Sequence, residues 1–204
     1  MNLGASAVFS LLLASIIPMA FCQSPPTAAP DKSQVPTQGN PDGGIVYSNG
    51  LGIGIGAPKN WIFDSTSGQS QGLYAVMYPN GSTWSNSTQV IYVNFATLDP
   101  KQTLDSFIES DINRFKEASS SLVVKKDDDI TIKSKETANV RLFFGDKWGN
   151  QEAIAYLLIG HNVAMYVLSC KKSSEFQTSY PLFRSVVSES FSMVVNVSPN
   201  SQKN

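Results

Sequence analysis

The chain is poor in the residues that most often carry chemistry. It has a single histidine, His161, and only two cysteines, Cys22 and Cys170, in 204 residues. A zinc site draws on several nitrogen and sulfur ligands, which this set does not supply, so no metal and no cofactor is expected. An excess of one charge is missing too: 15 basic side chains stand against 16 acidic ones, a net charge of −1. Phosphate binding along a nucleic acid needs a basic stripe or patch, so nucleic acid is not an expected partner. No block of like charge is long enough to form an acidic or basic tail. What is present is the composition of an ordinary globular protein. Hydrophobic residues make up 42% and aromatics 10%, which is ample for one packed core.

The first 22 residues, MNLGASAVFSLLLASIIPMAFC, carry no charged side chain. The apolar run ends near Pro18, and Ala20-Phe21-Cys22 offers a small-x-small cleavage signature before Gln23. This reads as a secretory signal peptide over residues 1–22, giving a secreted or periplasmic protein with no membrane span after cleavage. Two rival readings stay open. The apolar run approaches bilayer length and could anchor the chain uncleaved. Cys22 could be acylated, although Phe21 stands where lipoprotein sites carry a small residue. If Cys22 leaves with the signal, Cys170 is the one remaining cysteine and no internal disulfide forms. Such a domain relies on its core for stability.

Residues 23–44 contain five prolines and three glycines and almost no bulky apolar residue, the composition of a disordered tether. A folded domain is expected over 45–196, followed by a frayed polar tail at 197–204. Within the domain, IVYS and GIGIG read as short strands, and LYAVMY and QVIYVNFATL as longer ones. The period then changes. Leu104, Phe107, Ile108, Ile112 and Phe115 fall on one helical face, with Pro100 or Thr103 opening the helix. NVRLFF, EAIAYLLI and VAMYVLSC follow, joined by short glycine-containing turns that predict antiparallel hairpins. A second helix is expected over Ser173–Val187, with Pro181 obscuring its start, and SFSMVV makes a last strand. Strands such as AIAYLLI are apolar on both faces, as they would be if helices covered both sides of the sheet. The fold class expected is α+β: a three-layer α/β/α sandwich around a mainly antiparallel sheet, in a single domain.

The glycine-rich strand running into APKNW, the helix introduced by LDPKQTLDSFIES, the hairpin YLLIGHNVAMYVLSC and the ending FRSVVSESF together resemble the PsbP-like superfamily. That group includes the photosystem extrinsic subunit, a Ran-binding import factor and DcrB-like envelope proteins. The resemblance spans the whole domain through loose, mostly structural motifs. It implies an α/β/α sandwich and a non-catalytic binding or accessory role. No functional residue carries over from it. The partner would be a protein or small ligand in the envelope or outside the cell.

Several motifs imitate active sites. Gly52, Gly54 and Ala57 satisfy the G-x-G-x-x-A dinucleotide spacing, but Pro58-Lys59-Asn60-Trp61 follows where a helix should begin. Isoleucines alternating with glycines there read as a strand against which something packs closely. Gly68 to Gly72 satisfies G-x-S-x-G with Ser70 as nucleophile, yet it precedes a strand, not a helix. An exported serine hydrolase using Ser70 and His161, with Asp127 or Asp146 as the acid, is the alternative function. His161 otherwise reads as a turn residue, and Cys170 as a buried small hydrophobe. Asp127, Asp128 and Asp129 lack the alternate spacing and glycine of a calcium loop and read as a charged turn. The sequons at Asn80, Asn86 and Asn196 are about as frequent as composition alone would give. Trp84 and Trp148 remain as candidate binding residues, because an aromatic among polar loop residues makes a natural anchor. The competing reading is that each folds back onto the sheet.

Overall fold

The computed structural model describes residues 43–48 and 50–194. All of these belong to one compact unit, 38–204. The expected signal peptide, nearly all of the tether, the C-terminal tail and Asn196 lie outside the described residues. The first strand starts at Gly44, one residue earlier than expected.

Among the described residues, eleven strands and two α-helices make an α+β domain in which every strand pairing is antiparallel. In chain order the strands are β1 (Gly44–Ser48), β2 (Leu51–Ile55), β3 (Trp61–Asp64), β4 (Ala75–Pro79) and β5 (Gln89–Thr97), then, after helix α1 (Leu104–Ala118), β6 (Val123–Lys126), β7 (Ile130–Thr131), β8 (Thr137–Phe144), β9 (Gln151–Ile159) and β10 (Asn162–Cys170). Helix α2 (Ser173–Glu189) and strand β11 (Phe191–Val194) close the domain. Eight strands form one sheet in the order β3-β4-β5-β10-β9-β8-β6, with β7 also paired to β8. The expected meander β8-β9-β10 sits at its centre. Between β9 and β10 the chain turns at Gly160 and His161, and only Gly160 has positive φ, +61°. One positive φ at the first turn position fits a type II′ hairpin.

Helix α1 begins at a reciprocal cap. Thr103 Oγ1 accepts the Ser106 N–H (3.2 Å) while Ser106 Oγ accepts the Thr103 N–H (3.1 Å), satisfying two donors that the first turn leaves open. Its apolar stripe includes Leu104, Phe107, Ile108, Ile112 and Phe115, which pack with Phe143, Ile154, Tyr156, Val163, Met165 and Val167. Helix α2 packs with the alternate residues of β10, Ala164, Tyr166, Leu168 and Cys170. Successive strand residues point to opposite faces, so the two helices meet opposite sides of β10. This is why the middle of each of β9 and β10, residues 153–159 and 163–168, is apolar on both faces. Pro181 lies well inside α2, which continues through it. Pro181 and Gln177 are both exposed, so water can serve the Gln177 carbonyl that proline leaves without an N–H partner.

Strands β1, β2 and β11 form a separate three-stranded sheet with β2 in the middle. A second sheet was not expected from the sequence. Leu51, Ile53 and Ile55 of β2 face the core. On the other face Gly54 lies between Ile45 and Phe191, and Gly52 between Tyr47 and Met193. A Cβ on Gly54 would stand 2.2 Å from Cζ of Phe191, and one on Gly52 2.7 Å from Cγ of Met193. The neighbouring side chains lie over the glycines, so the alternation of Ile and Gly is a packing device. Gly54→Ala is therefore expected to cost about 1 kcal/mol, because the half-exposed Phe191 ring must swing off the strand. In a Phe191→Ala background the same change should cost nothing, since the obstructing ring is gone. Urea midpoints of the two single variants and the double variant read the coupling. A Gly54→Ala cost unchanged by Phe191→Ala would refute this account.

Candidate functional site

The register aligns the strand ends. Gln151 opens β9 opposite Cys170, the last residue of β10, which in turn pairs with Gln89 at the start of β5. The loops 145–150 and 80–88 thus emerge from the same end of the large sheet, two strands apart, or about 10 Å. Each carries one of the tryptophans singled out in the sequence. Trp84 and Trp148 come to one end of the molecule.

Loop 145–150 is built around Asp146. Its Oδ1 accepts the N–H of Trp148 (3.0 Å) and of Asn150 (2.7 Å), and its Oδ2 accepts Asn150 Nδ2 (3.0 Å). Two bonds tie the loop to the connection between α1 and β6. Ser121 Oγ donates to the Gly145 carbonyl (2.6 Å), and the Lys147 N–H donates to Ser119 Oγ (2.9 Å). Held this way, Trp148 remains 48% exposed, with Lys147 Nζ 4.4 Å from its ring centroid. A fixed aromatic with an adjacent cation is an anchor that loses little entropy on contact. Trp84 is half-buried, edge-on to Tyr92 of β5 at 6.2 Å between ring centroids. It is partly committed to packing on the sheet and offers the smaller free surface.

Behind these loops lies a polar cluster that the sequence reading did not single out. Glu152, the second residue of β9, sits opposite Ser169 of β10. Burial pushes its carboxyl up to about 7; a hydrogen bond with Ser169 opposes the shift, while the charges of Asp146 and Asp111 add to it. Asp111 is 2% exposed within the apolar stripe of α1. It accepts the Tyr156 hydroxyl at 2.7 Å and pairs with Arg114. Burial first, and then the carboxylates, hold Tyr92 and Tyr156 well above the usual phenol range. The traces in the sequence were slight: a glutamate near the start of a mostly apolar strand, and an aspartate one turn after Ile108.

The opposite end of the sheet holds the hydrolase candidates. Ser70 is exposed in a 3-10 turn, Gln69–Gln71, that leads into β4. His161 is exposed in the β9–β10 turn, its carbonyl accepting the Leu98 N–H at 2.7 Å. Among the described residues these two side chains share no hydrogen bond. Nor are the candidate acids placed beside His161. Asp146 is taken up in its own loop at the far end, and Asp127 accepts from Tyr180 and from Arg184 Nη1 (3.3 Å) on α2. Asp127 is thus docked against a helix, not free in a charged turn. Cys170 is fully buried, and burial, with Glu175 and Glu152 nearby, pushes its thiol up to about 12.

A second buried carboxylate, Asp64, ends β3. Its Oδ1 accepts the Thr66 and Ser67 N–H groups (2.8 and 2.9 Å) and Thr66 Oγ1 (2.9 Å). Its Oδ2 accepts Ser67 Oγ (2.5 Å) and the Tyr78 hydroxyl (2.8 Å). Burial alone would raise its pKa, but the bonds from Ser67, Thr66 and Tyr78 outweigh that and hold it well below the usual carboxylate range. Every lone pair is engaged, so this carboxylate is structural.

The fold and this site define an antiparallel α+β domain with a loop-borne aromatic end. No family model and no curated protein matches the chain. Among solved structures it is similar to the solution structure of cyanobacterial PsbP (CyanoP) from Synechocystis sp. PCC 6803, at 14% identity, over 78% of this chain and 98% of that one, with a TM-score of 0.48. The likeness is loose and PsbP-like, as is the resemblance in the sequence. Among the described residues no helix is long and apolar enough to cross a membrane.

Proposed function

We propose that the chain is an exported, non-catalytic binding or accessory protein, built as a three-layer α/β/α sandwich. Its contact surface is the sheet end carrying loops 80–88 and 145–150. The observation that carries this reading is Trp148, held by the Asp146 loop yet 48% exposed. A large aromatic fixed by its loop and left half exposed beside a cation has the form of a contact anchor. Trp148 is the primary anchor and Trp84 the secondary one. The test is capture by the immobilised full chain from an envelope extract or culture medium of the organism that makes it. Material retained by the wild type should be lost with Trp148→Ala and reduced with Trp84→Ala. Identical retention by both variants would remove this end as the contact surface.

A further inference from the structure

We propose that this end of the sheet docks onto an anionic lipid surface. The proposal rests on the binding reading above and adds the chemistry of the partner.

Loops 56–60, 80–88, 145–150 and 171–172 emerge at the end that carries the tryptophans, where Trp61 faces Pro79 and Gln89 faces Cys170. Together they hold four lysines, Lys59, Lys147, Lys171 and Lys172, and one acid, Asp146, with Glu152 and Glu175 flanking them in β9 and α2. The lysines are all exposed, and the Asp146 carboxylate is turned into its own loop by three donors. Lys172 Nζ lies 3.6 Å from Glu175. Among the described residues, Lys59, Lys147 and Lys171 have no carboxylate within ion-pair distance. Three lysines without an ion-pair partner thus surround the exposed tryptophan of a chain whose net charge is −1.

The layout decides between kinds of anionic partner. From β3, which Lys59 precedes, to β9, which Lys147 precedes, the sheet order takes four strand steps, or about 19 Å. The cations are spread across the strand ends and converge on no single point. Acidic motifs in proteins are usually gripped by clustered arginines, whereas these loops carry spread lysines and no arginine. A headgroup plane accepts cations at any spacing, and tryptophan settles at the boundary between headgroups and acyl chains.

The test is co-sedimentation of the full chain with vesicles of phosphatidylcholine alone, or of equal parts phosphatidylcholine and phosphatidylglycerol. Residues 1–22 are the same in every variant, so comparison of each variant with the wild type on the same vesicles removes their contribution. The anionic vesicles should retain more protein, and added salt should erase the difference. Lys147→Glu and Lys171→Glu should each lower the anionic partition about fivefold or more. Trp148→Ala should lower it as well and reduce the blue shift of tryptophan emission on binding. Unchanged thermal midpoints will show that these surface variants still fold. Equal partition onto both vesicles, or anionic partition indifferent to both lysine variants, overturns the proposal. Retention on polyglutamate with none on anionic vesicles also overturns it, and assigns the end to an acidic protein. If vesicles fail while Trp148-dependent capture from extract persists, the lipid surface is wrong and the binding reading stands.

Discussion

Asp64→Ala is expected to lower stability by about 3 kcal/mol near neutral pH. The carboxylate gathers the Thr66 and Ser67 backbone donors and the Thr66, Ser67 and Tyr78 hydroxyls. Thr66 and Ser67 lie in an exposed loop, where water can replace part of what is lost. Tyr78 is 7% exposed and paired across β3–β4, so its hydroxyl loses its acceptor inside the protein. At this chain length each kcal/mol moves the thermal midpoint by about 2–4 °C, so the variant should melt about 6–12 °C lower. Asp64→Asn keeps the Oδ1 acceptor and turns an amide toward two hydroxyls that can accept, so it should cost only about 1 kcal/mol. The pH dependence has a defined sign. The native carboxyl is held below its ordinary value, so the native state binds fewer protons than the unfolded chain in acid. Its contribution is full above the ordinary carboxylate pKa and is lost as the pH falls below about 4. The gap between wild type and Asp64→Asn should therefore narrow in acid. Urea midpoints across pH read both effects. An alanine variant as stable as the wild type would show that the loop after β3 holds itself together without the carboxylate.

The legible parts of the fold were those set by local pattern. The stripe from Leu104 to Phe115 with Thr103 before it fixed α1, and the glycines at 145 and 160 fixed the turns of the central meander. Strands apolar on both faces pointed to cover on both sides, and the described residues hold two separate apolar clusters. The parts that stayed hidden depend on residues far apart in the chain. Nothing in Gly52 and Gly54 names Phe191 and Met193 as the groups that lie over them, because β11 reaches β2 only after the rest of the domain has been laid down. The run STSG after Asp64 reads as a loop, and only the fold shows that it wraps one carboxylate. Trp84 and Trp148 were visible as aromatics in polar loops. That they share one end follows from the register Gln151–Cys170–Gln89.

Glu152→Gln should stabilise the protein, and only on one side of its titration. The native carboxyl titrates at about 7, whereas an unfolded glutamate does so at about 4.3. Between those values the native state keeps a proton that the unfolded chain has released, so stability falls as pH rises through this window. The slope is at most about 1.4 kcal/mol per pH unit. Because Glu152 is only half-buried, the loss by about pH 8 should amount to roughly 1–3 kcal/mol. The groups that set its charge come from several elements: Asp146 before β9, Asp111 on α1, and Ser169 on β10. Tyr92 on β5 and Tyr156 on β9 register its charge in return. Glutamine keeps the shape and can still hydrogen-bond with Ser169, but it cannot ionise. The variant should match the wild type near pH 4, exceed it near pH 8, and show a flatter profile between. Equal stability near pH 8 would mean that water reaches the wild-type carboxylate and the burial argument fails. If the expected gain appears, the native sequence carries a stability cost at the base of loop 145–150 that one conservative change removes. Costs of that kind are characteristic of residues kept for a site and not for the core, and this one lies directly beneath the end that presents Trp148.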